Sequence, residues 1–306
     1  MNNSQIQELL QQAKQCEMKN NFVQAANLYE QAYLLVPNFN IERQLVKTLV
    51  NSNQVTKAFS YLENNWSDYL YKFVDSKLLI EVLLAQADFI GAQQVLVQVK
   101  WQNQSKKEYL QQLIIQQQVI FKHTHFKQIQ GILQQILEIL TLPLEQQVEL
   151  VKRLHWLSFK QYLQQTKLLI LNPYLHPIIK ASVVEDLVKL QLNEKLPISF
   201  WGEIRSFIPQ NYFLIADLKS LHALREVLHN IDIKGELAET LDAQVNLYAA
   251  MLYPYTDEII IDYSLWITRI LNYFGIETAQ TLEKDAKAGK VDMWLDKFEE
   301  LLSLFN

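Results

Sequence analysis

A three-residue pattern recurs in the first half of the chain at steps close to 34 residues, and no other feature constrains the fold as strongly. Each copy has a leading residue, a packing residue three positions on and a further residue four beyond that. The copies are Phe22/Ala25/Tyr29, Val55/Ala58/Leu62, Phe89/Ala92/Leu96, Phe126/Ile129/Leu133 and a degenerate Phe159/Tyr162/Thr166. Such sets also arise in any amphipathic helix, so chance similarity between helices is the alternative interpretation.

The first copy belongs to a longer pattern at fixed offsets from a proline. Its members are Ala13, Ala25, Tyr29, Ala32 and Pro37. This pattern resembles the tetratricopeptide repeat, in which small residues let two antiparallel helices approach and one aromatic fills the space beside them. Two positions depart from that family, because Cys16 replaces the usual Tyr and Leu9 the usual Trp. The resemblance implies stacked helix pairs that bind another protein.

Glycine and proline are scarce, with only 6 and 7 among 306 residues. No two glycines lie within ten positions of each other. That spacing excludes the dinucleotide-binding fingerprint, the P-loop and the kinase glycine loop. It also argues against β-sandwiches and barrels, whose many tight turns need glycine. We expect asparagine to form the turns instead.

We therefore predict an all-α fold in which residues 1–172 form a tetratricopeptide-like array, a right-handed α-α superhelix of about five helix pairs. The predicted pairs are 4–18 with 22–35, 41–51 with 55–64, 68–86 with 89–99, 106–122 with 126–141, and 145–156 with 159–171. A single pair cannot bury its own apolar face, so neighbouring pairs must stack.

The second half has a different character, since the repeat spacing is lost after Pro173. Residues 1–175 contain 16 basic and 13 acidic residues, whereas residues 176–306 contain 12 and 20. We predict a C-terminal helical capping domain over 173–306. Its predicted helices cover 178–192, 213–230, 235–252, 257–274 and 291–304. The segment His176 to Lys180 resembles the segment after the repeats in uncharacterised bacterial tetratricopeptide proteins.

One stretch of the second half is not typical of a helix. Between Pro197 and Pro209 the chain is aromatic and β-branched around Trp201 and Gly202. It predicts either a short β-hairpin or an irregular loop packed by Trp201.

Composition restricts the compartment and the partners. The net charge of −5 gives no support for direct nucleic-acid binding, which needs a strongly basic face. The lone Cys16 excludes an intramolecular disulfide. We expect no secretory signal, because the first residues show neither a basic nor an apolar signal region, and no apolar stretch is long enough to span a membrane. We expect a cytoplasmic protein without membrane contact.

No reaction centre stands out. Of the six histidines, His222 and His229 are seven residues apart, which places them on one helix face but two turns distant. Without a third ligand this is a weak metal signal. We expect no catalytic residue, no cofactor and no metal, and hence a protein that is not an enzyme.

The resemblance implies that the first helix of each pair lines a concave groove. In this register the groove positions fall on Leu10, Lys14, Arg43, Lys47, Lys77 and Glu81. Four cations in succession would attract an acidic peptide or a terminal carboxylate. The family's carboxylate clamp is not matched, because Lys14 occupies a place where the clamp has Asn. Scattered solvated lysines are the alternative interpretation.

Four aromatic residues cluster where the second unit meets the third. They are Trp66, Tyr69, Tyr71 and Phe73. They would either pack between helix pairs or form a patch for a partner.

These features favour a non-catalytic interaction scaffold or adaptor that binds a peptide or helix of another protein. Two alternatives remain open. The first is a regulatory module that acts with nucleic-acid-bound partners. The second is a structural protein that associates with itself, for example as a homodimer.

Overall fold

The computed structural model describes residues 2–231, 233–276 and 286–303. Over these residues the chain forms sixteen α-helices and one two-stranded antiparallel sheet, so the predicted all-α fold with a short β-hairpin is confirmed. The chain divides into two compact units. Unit 1 comprises residues 1–135 and 153–162, and unit 2 comprises residues 136–152 and 163–306. This division follows spatial contacts and falls inside the fourth and fifth helix pairs, whereas the repeat spacing placed a boundary after residue 172.

Ten successive helices occupy the stretch where the repeat predicts five pairs. The helices are α1 (Asn2–Met18), α2 (Phe22–Leu35), α3 (Phe39–Asn51), α4 (Val55–Asn64), α5 (Phe73–Ala85), α6 (Phe89–Gln98), α7 (Gln104–Thr124), α8 (Phe126–Leu137), α9 (Leu144–Arg153) and α10 (Phe159–Leu171). In every pair, the leading residue of the repeat is the first residue of the second helix. The recurring pattern therefore marks helix starts.

The packing residue of each copy is buried. Ala25, Ala58 and Ala92 are fully buried, and Ile129 and Tyr162 stand in the same place in the last two copies. An alanine lets two helix backbones approach closely, and this close approach accounts for the small residues in the first three copies. Many of the buried apolar residues of unit 1 form one core cluster that extends from α1 to α7, and Ile6, Ala32 and Ile41 form a second, smaller cluster.

Asparagine forms the turns that glycine would form in most helical proteins. Asn20 and Asn53 adopt φ angles of 55° and 61°, in the left-handed region that asparagine tolerates better than most residues. Asn21 and Asn103 cap the N-termini of α2 and α7 by accepting backbone hydrogen bonds. These contacts explain how a chain with six glycines connects so many helices.

Several predicted helices are interrupted, and those expected over 126–141 and 145–156 end in 3-10 turns at Ile139–Thr141 and Leu154–Trp156. The one expected over 68–86 is a 3-10 turn at Trp66–Leu70 followed by α5. The Ser76 hydroxyl donates to the Tyr69 carbonyl at 2.9 Å, which satisfies that buried carbonyl where the helix breaks. The helix expected over 257–274 divides at Ile260, which is extended.

Unit 2 combines the remaining helices with the hairpin. Its elements are α11 (Pro177–Lys189), β1 (Leu196–Phe200), β2 (Glu203–Phe207), α12 (Lys219–His229), α13 (Glu236–Met251), α14 (Thr256–Ile259), α15 (Tyr263–Tyr273) and α16 (Ala286–Ser303). The helix expected from 213 begins only at Lys219, after a 3-10 turn at Ile215–Asp217. The one expected over 291–304 begins earlier, at Ala286, and residue 304 lies outside the described residues.

The hairpin turn explains the stretch that is not typical of a helix. Strands β1 and β2 pair from Leu196 opposite Phe207 to Phe200 opposite Glu203, which leaves Trp201 and Gly202 as the turn. Their φ angles are 47° and 93°, and a two-residue turn with both angles positive matches the right-handed twist of its strands. The Trp201 indole donates to the carbonyl of Met251 at 3.0 Å, which ties the turn to α13.

Candidate functional site

The six predicted groove residues lie on the first helices of three successive pairs. Leu10 and Lys14 are on α1, Arg43 and Lys47 on α3, and Lys77 and Glu81 on α5. Helix α3 packs against α5, and α5 packs against α7. The side chains differ in what they contact. Some of them pair or pack with other residues of unit 1, whereas others are exposed at its surface.

Arg43 serves the fold of unit 1. Its guanidinium lies 3.1 Å from a carboxylate oxygen of Asp75 on α5, and the side chain of Asp75 is only 1% exposed. A buried carboxylate is unfavourable without a partner. Arg43 therefore compensates an internal charge, and little of its own charge is left for a ligand.

Leu10 and Glu81 are also engaged within unit 1. Leu10 is half-buried and packs against the core. The Glu81 carboxylate lies 3.4 Å from the ammonium of Lys77, one turn away on the same helix. An exposed pair at this spacing contributes a few tenths of a kcal/mol, so either side chain can exchange this contact for another.

Lys14 and Lys47 are exposed, and within the described residues no acidic side chain pairs with either of them. A hydrogen bond of 3.2 Å joins Glu17 on α1 to Thr48 on α3. Glu17 lies one turn after Lys14, and Thr48 is next to Lys47. The contact therefore brings the turn of α1 that carries Lys14 close to the turn of α3 that carries Lys47.

Lys77 belongs to a shallow pocket between α5 and the start of α7, with a volume of 380 Å³. Its lining residues are Phe73, Lys77, Asn103, Ser105, Lys106 and Tyr109. The Lys106 ammonium lies 4.9 Å from the centre of the Phe73 ring, and the Lys77 ammonium lies 5.9 Å from the centre of the Tyr109 ring. We call these six residues the cation-aromatic pocket. Its two ammonium groups suit an anionic group, and its two rings suit an apolar side chain.

Lys106 and Tyr109 were not among the predicted site residues. The available signal was Asn103, whose side chain accepts from the backbone N–H of Lys106 at 3.2 Å and so caps α7. A cap at residue 103 places Lys106 in the first turn of α7. The repeat register could not point there, because the step between leading residues lengthens to 37 at this unit.

The aromatic cluster at residues 66–73 divides between the two interpretations. Tyr69 is fully buried, and the Trp66 indole donates to Gln98 on α6 at 3.3 Å, so these two pack between helices. Phe73 is half-buried and lines the cation-aromatic pocket, while Tyr71 is 80% exposed.

Three glutamates of unit 1 are held by tyrosine hydroxyls. Tyr29 donates to Glu17 and Tyr61 donates to Glu30, at 2.8 and 2.7 Å. Glu42 is 1% exposed and accepts from Tyr33, Tyr69 and Asn65. Burial raises the pKa of Glu42, although its three donors act in the opposite direction. These groups connect neighbouring helices.

The candidate metal residues do not converge in the described part of the chain, where no three His, Cys, Asp or Glu side chains form a group that could hold a metal ion. His222 and His229 are both exposed on α12, and Cys16 is half-buried on α1. Among the described helices, none has the length and apolar composition that a transmembrane span requires.

The chain was compared with protein-family models, curated proteins and solved structures, and none of them matches it.

Proposed function

We propose that this protein is a non-catalytic interaction scaffold, and that unit 1 is a tetratricopeptide-like array that binds an acidic, partly apolar segment of a partner protein. The observation that carries the proposal is the cation-aromatic pocket, together with the exposed lysines of the preceding first helices. Lys14, Lys47, Lys77 and Lys106 come from α1, α3, α5 and α7 in order. A partner segment crossing these helices would meet one lysine on each.

The charges of the site favour an acidic segment. Lys14, Lys47 and Lys106 have no acidic partner within the described residues, and Lys77 has only its exposed contact with Glu81. Displacing that contact costs little, because exposed pairs contribute about 0.2–1 kcal/mol. Carboxylates of a partner would therefore pair with all four ammonium groups.

The same magnitudes show that charge alone is not enough. Four exposed pairs supply roughly 1–4 kcal/mol in total, which corresponds to millimolar affinity at best. An apolar anchor must add the remainder, and Phe73 and Tyr109 provide two rings whose centres are 6.4 Å apart. We therefore expect the partner segment to alternate acidic residues with at least one large apolar residue.

Fluorescence anisotropy with a labelled peptide of alternating Glu and Leu residues tests the proposal. We expect wild-type protein to bind it at low ionic strength and the double variant Lys14→Glu/Lys47→Glu to lose at least tenfold in affinity. Arg43 is left unchanged, because its ion pair with Asp75 supports the fold. The matched control is Lys122→Glu/Lys127→Glu, which makes the same change in net charge at two exposed lysines at the end of α7 and the start of α8.

Two results would contradict the proposal. The first is equal affinity of the wild-type protein and the double variant for the Glu-Leu peptide. The second is equal loss of affinity in Lys122→Glu/Lys127→Glu, since this would reflect net charge rather than a site. Sedimentation of the wild-type protein without peptide tests whether the protein self-associates, and a titration with labelled DNA tests whether it binds nucleic acid.

A further inference from the structure

Unit 2 contains a pocket of 860 Å³ at the start of α11. This volume is within the range of small-molecule sites. Much of its wall is apolar and includes Leu140, Leu142, Leu175, Trp201 and Leu301. Five side chains with polar or charged groups also line it, and they are Glu145, Gln147, Tyr174, His176 and Lys180. We call it the Lys180 pocket.

Lys180 is an unusual wall residue because it is a buried cation. It lies in the first turn of α11 and is 7% exposed. Its ammonium donates to the backbone carbonyl of Ser199 on β1 at 2.6 Å. No acidic side chain in the described ranges forms an ion pair with it. A buried ammonium without a negative partner is unfavourable, and an anion bound in the pocket would offset that cost.

Gln147 is a second wall residue whose hydrogen-bonding capacity is only partly used. It is 8% exposed, and its amide nitrogen donates to the carbonyl of Leu142 at 2.8 Å. Its amide oxygen accepts no hydrogen bond from any described residue. Buried acceptors nearly always have a donor. A ligand with an N–H or O–H group would supply one.

The other titratable side chains of the lining are Glu145, His176 and the exposed Tyr174, and none of them pairs with the Lys180 ammonium or donates to the Gln147 amide oxygen. Glu145 is exposed and forms no ion pair with Lys180. His176 accepts from the backbone N–H of Ile178 through Nδ1, and burial lowers its pKa, so the ring is neutral near pH 7. Burial also lowers the pKa of Lys180, to about 8, and most of the ammonium is therefore still charged at pH 7.

We propose that the Lys180 pocket binds a small carboxylic acid with an apolar body, whose carboxylate pairs with Lys180 and whose N–H or O–H donates to Gln147. The leucines and Trp201 contact the apolar body. This site lies within unit 2 and is independent of peptide binding by unit 1.

Calorimetric titration of the full chain with indole-3-acetate, 3-phenylpropionate and octanoate tests the proposal at pH 7. Indole-3-ethanol serves as the uncharged analogue of the first acid. We expect at least one acid to bind, and indole-3-acetate to bind at least tenfold more tightly than the alcohol. Raising the pH to 9.5 should weaken binding several-fold, because Lys180 is then largely neutral.

Substitutions test the proposed ligand contacts of Lys180 and Gln147 separately. Lys180→Met should abolish acid binding, whereas Lys189→Met, which changes a lysine at the other end of α11, should leave it unchanged. Gln147→Leu should weaken indole-3-acetate, which has an N–H, more than 3-phenylpropionate, which has none.

Three results would overturn the proposal. They are no heat of binding for any of the three acids at millimolar concentration, equal affinity for indole-3-acetate and indole-3-ethanol, and acid binding that survives Lys180→Met. The first two are measured on the wild-type protein, so the test does not depend on whether a variant folds.

Discussion

The guanidinium of Arg43 on α3 lies 3.1 Å from the buried carboxylate of Asp75 on α5. This ion pair joins the first helices of two successive pairs. It also distinguishes Arg43 from the other cations that the repeat register placed in a groove. Arg43 compensates an internal charge, whereas Lys14 and Lys47 are exposed and have no acidic partner among the described residues.

Loss of the Arg43 side chain should destabilise unit 1. Arg43→Met leaves Asp75 buried without a cation, and breaking a buried pair typically costs about 3–5 kcal/mol. Because Arg43 is 29% exposed, water screens part of that cost, and we expect about 2 kcal/mol. Urea denaturation followed by circular dichroism measures it. Lys47→Met is the control and should change stability by less than about 0.5 kcal/mol. Equal effects of both variants would contradict a structural role for Arg43.

Two glycines in helices should respond to alanine in opposite directions. A Cβ on Gly91 would clash with Asp88 Oδ2, and Asp88 caps α6 by accepting from the Gly91 N–H at 2.6 Å. Gly91→Ala should therefore cost about 1 kcal/mol, the usual value of a helix cap. Gly131 on α8 has nothing within 4 Å of such a Cβ, so Gly131→Ala should stabilise by about 0.5–1 kcal/mol. Thermal unfolding of both variants compares them, and stabilisation by Gly91→Ala would contradict the cap.

Glu42 should make the stability of unit 1 depend on pH. Burial raises its pKa in the folded state, so the folded state retains a proton to higher pH than the unfolded state. The stability linked to that proton is present below the ordinary glutamate pKa and is lost as the pH rises through the raised value. The variant Glu42→Gln does not lose this stability, because glutamine does not titrate. Its stability relative to wild type should therefore increase from pH 4.5 to 7, and a pH-independent difference would contradict the assignment.

Lys180 should produce a pH dependence above neutrality. Burial lowers its pKa from 10.5 to about 8, so the unfolded state binds more protons between these values. The wild-type protein therefore gains stability as the pH rises through this window. Relative to Lys180→Met, the gain between pH 8 and pH 9.5 should be about 1.5 kcal/mol, because the folded state is already half deprotonated at pH 8. Urea denaturation at both pH values measures it. Lys189→Met should track the wild-type protein, and a flat difference would show that Lys180 is not buried as described.

The sequence predicted much of the helical architecture because the determinants of helix starts are local. The repeat placed the first residue of α2, α4, α6, α8 and α10, and each of these helices begins there. The interrupted helices were missed for a different reason. The hydroxyl contact from Ser76 to Tyr69 and the extended Ile260 depend on tertiary packing, which periodicity does not report.

The site was predicted less completely than the fold. Register alone assigns a position on a helix, and it cannot distinguish Arg43, which meets a buried Asp75 from the next pair, from Lys47 one turn later. The Lys180 pocket was not predicted at all. Its walls come from residues 140–147, the start of α11, the hairpin turn and α16, and no sequence spacing connects them.

If the lysines of unit 1 select an acidic segment, exchanging charges between the protein and the peptide should reverse the preference. Anisotropy titrations would measure Glu-Leu and Lys-Leu peptides against the wild-type protein and against Lys47→Glu/Lys106→Glu. We predict that the wild-type protein prefers the Glu-Leu peptide at least tenfold and that the variant prefers the Lys-Leu peptide. An unchanged preference in the variant would contradict the claim.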